Sequence, residues 1–218
     1  MYLFDIDGTL LHAYGKAHYH AFTVALKQVF GVDSTIDGVP WHGNTDIGIL
    51  RAVLDRDGLD TNDLEAKVPE LIRLMSQHVE ENRAQVRAET CNGIPEVIRH
   101  LHQQGKLLGV ASGNFERIGW VKVEAAKLRD YFSFGAFGDL SEHRSEIFRH
   151  AIAEARRRAG ERATICIVGD TPADVKAAKL NQVPVIALAT GVFSVEQLRE
   201  QGPDLVLGCC ADVLPLSA

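Results

Sequence analysis

The chain has 218 residues, 46% hydrophobic and 24% charged, with a formal net charge of −6. This is enough chain to bury a substantial core, and the shares are those of an ordinary globular protein. The negative balance, with no basic run and no basic patch interleaved with aromatics, argues against nucleic acid and anionic membranes as partners. The longest uncharged apolar stretch, Val183 to Val195, contains Pro184 and is too short to span a bilayer. No signal segment precedes the first apolar run. Cys91, Cys166, Cys209 and Cys210 lack C-x-x-C spacing, the usage expected of a cytoplasmic chain without a disulfide framework.

The order of elements starts with a short strand, Tyr2 to Phe4, leading into Asp5-Ile6-Asp7-Gly8-Thr9. From Gly15 the period becomes helical: His18, Phe22, Ala25, Leu26, Val29 and Phe30 recur at steps of three and four, and Gly31 ends the run. A loop carries Trp41-His42-Gly43-Asn44-Thr45-Asp46. A second helix follows with Ile47, Leu50, Val53 and Leu54, and a third spans about 63–82. Residues 14–86 thus read as all helical, inserted between strands. Beyond Gly93, helices and strands alternate. Strands are expected at 107–111, 134–137, 164–168, 183–188 and 204–207, with helices at 94–104, 115–128, after Arg144, from Thr171 to Leu180, and after Ser194. Ser194 and Gln197 form a capping-box pair. Such alternation predicts an α/β fold: a Rossmann-like, three-layer parallel sheet core, with an inserted all-helical cap domain. The expected division is 1–13 with 87–218 for the core, and 14–86 for the cap.

Asp5 and Asp7, two residues apart at a strand end, project to one side and repel each other. A hard divalent cation such as Mg²⁺ would offset that repulsion. Gly8 permits a sharp exit from the strand. As a calcium loop the stretch fails, because Thr9, Ala13 and Lys16 fall where further oxygen ligands are required. Two other strand ends carry polar groups: Ser112-Gly113-Asn114, and Asp170 with Asp174. Strand carboxyl ends share one edge of a parallel sheet, so these groups can converge.

Taken together, the motifs resemble the haloacid dehalogenase-like hydrolase superfamily. Within it they are most similar to helical-cap phosphatases of the phosphoglycolate phosphatase and β-phosphoglucomutase type. The resemblance rests on Phe4 to Thr9, Val110 to Asn114, Arg144 opening a helix, and Gly169 to Asp174. It implies Asp5 as the nucleophile that forms an aspartyl phosphate, and Asp7 as the acid and then base. It implies Mg²⁺ held by Asp5, by the backbone carbonyl of Asp7 and by Asp170, with Asp174 behind them. Ser112 would donate to a phosphate oxygen, and Arg144 would place a positive charge beside Asp5. Gly8, Thr9, Gly113 and Asn114 would surround the phosphoryl group, with Gly43, Asn44 and Thr45 facing it from the cap. The implied activity is a Mg²⁺-dependent phosphatase acting on a small phosphorylated metabolite, phosphoglycolate-like or a sugar phosphate.

Alternatives remain on the residues alone. Ser112 could simply cap the following helix, and Thr171 to Asp174 is also a capping box with Pro172 at the first helical position. Arg144 stands where lysine is usual in resembling chains; Lys122 and Lys127 fall earlier, inside the preceding helix. Asn44 replaces a cation common in the cap of such chains. This predicts a substrate with less negative charge away from its phosphate, or one gripped by Lys16 or His42. A phosphomutase is the alternative reaction, and a non-catalytic acidic-pocket signalling or binding protein the alternative class. The second carboxylate, Asp7, disfavours a dehalogenase.

Overall fold

The computed structural model describes all residues except Ala13, Tyr14, Arg87, Ser217 and Ala218, with backbone alone at 215 and 216. Six parallel strands form one sheet: β1 (Tyr2–Phe4), β2 (Leu108–Ala111), β3 (Phe134–Ala136), β4 (Cys166–Gly169), β5 (Val185–Leu188) and β6 (Leu205–Leu207). Their order is β3-β2-β1-β4-β5-β6, with Phe4 opposite Val110 on one side and Val168 on the other. The order reverses at β1, and in such sheets the crevice beside the reversal is where ligands bind.

Alternation along each strand feeds two cores. Phe4, Val110 and Val168 point to a face covered by α4 (Ile94–Gln103) and α5 (Glu116–Ala125). Leu3, Ile167 and Val185 point to the opposite face, under α6 (Arg144–Ala159), α7 (Pro172–Leu180) and α8 (Val195–Glu200). The expected three-layer sheet is therefore present, with strand limits within about two residues of those read from the pattern.

The large helical insertion between β1 and β2 contains α1 (Lys16–Ala25), continued by a π-helical turn at Leu26–Phe30, then α2 (Asp46–Arg56) and α3 (Leu64–Glu81). Gly31 ends the first run with φ of 72°. Phe22, Leu26, Leu50, Val53, Leu71 and Met75 build a third apolar core. Phe115, Ile118 and Val121 of α5 belong to that same core, so α5 serves both the sheet and the insertion. The two connections run side by side, His12 N donating to Glu89 O and Cys91 N to Leu10 O. The expected borders at 13–14 and at Arg87 lie outside the described residues. Helix α5 ends at Ala125, three residues short of its expected limit. Lys127 therefore lies past the helix, in a left-handed turn with φ of 59°, rather than inside it. Among the described residues no helix is long and apolar enough to cross a membrane.

Candidate active site

Two strand ends and the first turn of a helix deliver the acidic centre. Asp5 extends β1, its N–H donating to Val168 O at 3.0 Å. Asp170 follows β4, and Asp174 lies in the first turn of α7. All three are buried, and one carboxylate oxygen from each lies within 4.8 Å of the others. Arg144, at the start of α6, reaches across: its Nη2 lies 2.8 Å from Asp5 Oδ1 and 2.7 Å from Asp174 Oδ1. Its Nε donates to Asp174 Oδ1 at 2.8 Å. The second oxygen of Asp174 accepts from Thr171 N at 3.0 Å and from Thr171 Oγ1 at 2.7 Å. Asp174 is thus both the capping-box partner of Thr171 and the anchor of Arg144.

One guanidinium does not balance three carboxylates. Burial pushes Asp5 up to about 6; Arg144 opposes this, while Asp174 and Asp7 add to it. Burial, with Asp174 and Asp5, holds Asp170 well above the usual carboxylate range. Asp5 Oδ1 is buried without an aligned hydrogen bond, despite its close approach to Arg144. Space is reserved around Asp170. A Cβ at Gly8 would fall 2.2 Å from its Oδ2, and one at Gly191 would fall 1.9 Å from the same atom. Gly8 also has φ of 85°, a conformation that suits glycine. An excess of buried carboxylate, an unsatisfied oxygen and an all-oxygen donor set fit a hard divalent cation such as Mg²⁺. Asp5 and Asp170 offer the donor oxygens; Asp174 has both of its oxygens engaged elsewhere, and the carboxylate of Asp7 lies outside the cluster.

Asp7 instead faces a second cation. Lys122 Nζ donates to Asp7 Oδ2 at 2.6 Å and to Asn114 Oδ1 at 2.7 Å, and lies 3.0 Å from His18 Nδ1. Asn114 Nδ2 donates to Asp7 Oδ2 and to Ser112 Oγ, both at 2.8 Å. Burial would raise Asp7, but the charges of Lys122 and His18 and these hydrogen bonds outweigh it, leaving Asp7 below the usual carboxylate range. Its side chain keeps 30% of its surface open to the cavity. The expectation that Lys122 falls too early in the chain to take part is therefore corrected. It lies one turn beyond Ile118, on a helix whose neighbouring residues 120, 121 and 123 are all buried. A lysine with no solvent-facing stripe to occupy was the available signal for it. His18 was likewise read only as part of an apolar helical row.

The hydroxyl motif does not cap α5: Ser112 makes no such bond, and Phe115 occupies the cap position. Phe115 N donates instead to Asp46 Oδ2 of the insertion at 2.8 Å, while Asp46 N donates to Gly113 O at 2.9 Å. A Cβ at Gly113 would fall 2.5 Å from Asn44 O, so glycine there lets the insertion close onto the strand end. Asp46 also lies 3.2 Å from His18 Nε2, completing a ring of contacts from insertion to core. Thr9 Oγ1 donates to Asp170 Oδ1 at 3.0 Å. Thr45 Oγ1 donates to Glu142 O and accepts from Gly48 N, capping α2. Asn44 is turned onto its own loop, accepting from Thr45 N at 2.8 Å and donating to Pro40 O. Gly43 has φ of 74° and packs on Thr171. Asp5, Asp7, Gly8, Ser112, Gly113 and Asn114 line one cavity, and Arg144 and Asp170 border it too. Gly43, Asn44 and His42 face the same cavity; Lys16 is exposed on α1 and is not among its lining residues.

A doubly wound parallel sheet with acidic groups at the strand ends, covered by a helical insertion, defines the class: a core-and-cap α/β fold. The family model described as haloacid dehalogenase-like hydrolase matches residues 2–188. The chain belongs to that family. It is 26% identical over 208 residues to a phosphoglycolate phosphatase of Mesorhizobium japonicum, covering 94% of this chain and 88% of that one. It is 26% identical to phosphoglycolate phosphatase 1 of Pseudomonas aeruginosa, over 98% of this chain and 78% of that one. Among solved structures, CbbY from Rhodobacter sphaeroides in complex with phosphate superposes with a TM-score of 0.74 at 19% identity, covering 97% of this chain and 95% of that one.

Proposed function

We propose that the protein is a Mg²⁺-dependent phosphatase that hydrolyses a small phosphorylated metabolite through an aspartyl-phosphate intermediate. One observation carries this reading: Asp5, at the sheet's reversal point, has a buried oxygen without an aligned partner, beside Arg144 and within the Asp170 cluster. Bound at Asp5 and Asp170, the cation would screen the phosphoryl charge from the nucleophile. An Asp5 oxygen forms a bond to phosphorus as the ester P–O bond breaks; Asp7, anionic at rest, takes a proton from solvent on its Oδ1 as the dianionic ester binds and gives that proton to the departing oxygen. Water then attacks phosphorus, Asp7 takes the water's proton, and Asp5 is released with inorganic phosphate. Ser112, Gly113 and Arg144 hold the non-bridging oxygens. Lys122 and Asn114 hold the Asp7 carboxylate in place. In this reading residues 14–86 are a cap over a core formed by 1–13 and 87–218.

The names of the relatives make phosphoglycolate-like esters, alongside sugar phosphates, the first substrates to assay. The test is release of inorganic phosphate from p-nitrophenyl phosphate and from a panel of phosphorylated metabolites. Turnover that is abolished in Asp5→Asn, and lost on chelation of Mg²⁺, is the expected result. Turnover that survives either change overturns the reading.

A further inference from the structure

The cavity above Asp5 has two walls of different chemistry. The core wall is charged and polar, formed around Asp5, Asp7, Ser112 and Arg144. The insertion wall carries Phe22, Ile36, Trp41, His42 and Ile49. The rings of Trp41 and His42 are stacked, with centroids 3.6 Å apart and planes at 29°. Partial burial holds His42 below the ordinary imidazole range.

The other polar side chains on this wall are already engaged with protein. Tyr19 donates its hydroxyl to Asp37 at 2.7 Å. His18 pairs with Asp46, which also accepts from Phe115 N. Asn44 accepts from Thr45 N and donates to Pro40 O. The two cations that do face the cavity, Lys122 and Arg144, rise from the core and are held by Asp7 and by Asp5 with Asp174. Among the described residues the insertion contributes no lysine or arginine to the wall.

These facts rank the groups that could fill the space. A carboxylate or second phosphate would lose hydration there without gaining a counter-charge. A polyhydroxylated chain would set its hydroxyls against side chains whose hydrogen bonds are already made. A flat, uncharged ring loses little on leaving water and gains both apolar contact and stacking.

We propose that the leaving alcohol of the substrate carries a planar, uncharged ring that lies against Trp41 and His42, and that these two residues determine specificity. This inference rests on the phosphatase reading and narrows its substrate.

The experiment measures kcat/KM for benzyl phosphate, ethyl phosphate, phosphoglycolate and glucose 6-phosphate with the Mg²⁺-loaded protein. Benzyl and ethyl phosphate are both alkyl esters, so their ratio reports mainly the ring. Benzyl phosphate is expected to lead ethyl phosphate and phosphoglycolate by about tenfold or more. Trp41→Ala is expected to collapse the benzyl-to-ethyl ratio toward one, chiefly through KM, while Trp41→Phe retains most of it. His42→Ala, at the cavity mouth, is expected to lower the same ratio, and serves if Trp41→Ala does not fold. Faster turnover of phosphoglycolate or glucose 6-phosphate, or a ratio indifferent to both Trp41→Ala and His42→Ala, overturns the inference and leaves the phosphatase reading standing. Failure of every ester, p-nitrophenyl phosphate included, overturns both.

Discussion

Lys122 Nζ lies 2.6 Å from Asp7 Oδ2, joining residues 115 positions apart in the chain. Asn114 holds the same oxygen, so the carboxylate has a fixed position and an anionic resting state. Lys122→Met should release it. The expected loss is about 10²-fold in kcat on alkyl phosphates, where proton delivery to the leaving oxygen matters most. The loss on p-nitrophenyl phosphate, whose leaving group needs less help, should be smaller. Steady-state kinetics on both esters checks this; equal losses on the two would assign Lys122 a purely structural role.

Arg144 is the only cation among the described residues in contact with Asp5 and Asp174. Arg144→Met leaves those buried carboxylates uncompensated. Without metal, the variant should lose about 3–5 kcal/mol of stability. Saturating Mg²⁺ should restore part of it, because the ion supplies the missing positive charge. Urea unfolding with chelator and with Mg²⁺ measures both effects.

The buried carboxylates also set a pH dependence. Asp5 is raised to about 6 and Asp170 is held well above its ordinary value, so the metal-free fold binds more protons than the unfolded chain. Their contribution to stability therefore falls as pH rises from the usual carboxylate value, about 4, through about 6. Mg²⁺ binds the ionised forms and should offset that fall. The rise in Tm caused by Mg²⁺ should be larger at about pH 7.5 than at about pH 5. Equal rises at the two pH values would contradict the placement of the ion beside Asp5 and Asp170.

Gly191 tests the space kept for Asp170. Its Cβ would sit 1.9 Å from Asp170 Oδ2, so Gly191→Ala must rotate that carboxylate away from Thr9. The Mg²⁺ concentration for half-maximal activation should rise by about 10–100-fold, with the fold unchanged by circular dichroism. An unaltered Mg²⁺ requirement would place the ion away from Asp170.

Much of this arrangement is local and so was legible in the chain. The period-two strands and period-3.6 helices, the Ser194 and Thr171 capping boxes, and the carboxylates at strand ends each depend on residues close in sequence. Parallel pairing then carries Asp5, Ser112 and Asp170 to one edge without further information. Three things were decided only by tertiary packing. Lys122 reaches Asp7 because α5 is wedged between the sheet and the insertion, which no spacing along α5 reveals. Asp46 replaces Ser112 as the group that meets the start of α5, because the insertion folds back onto the strand end. Asn44 turns onto its own loop, and the wall facing the acidic centre is left to Trp41, His42 and Phe22. For Lys122 and Asp46 the deciding energy is a buried polar group finding its partner across the chain, a choice fixed by which surfaces close on each other rather than by residue order.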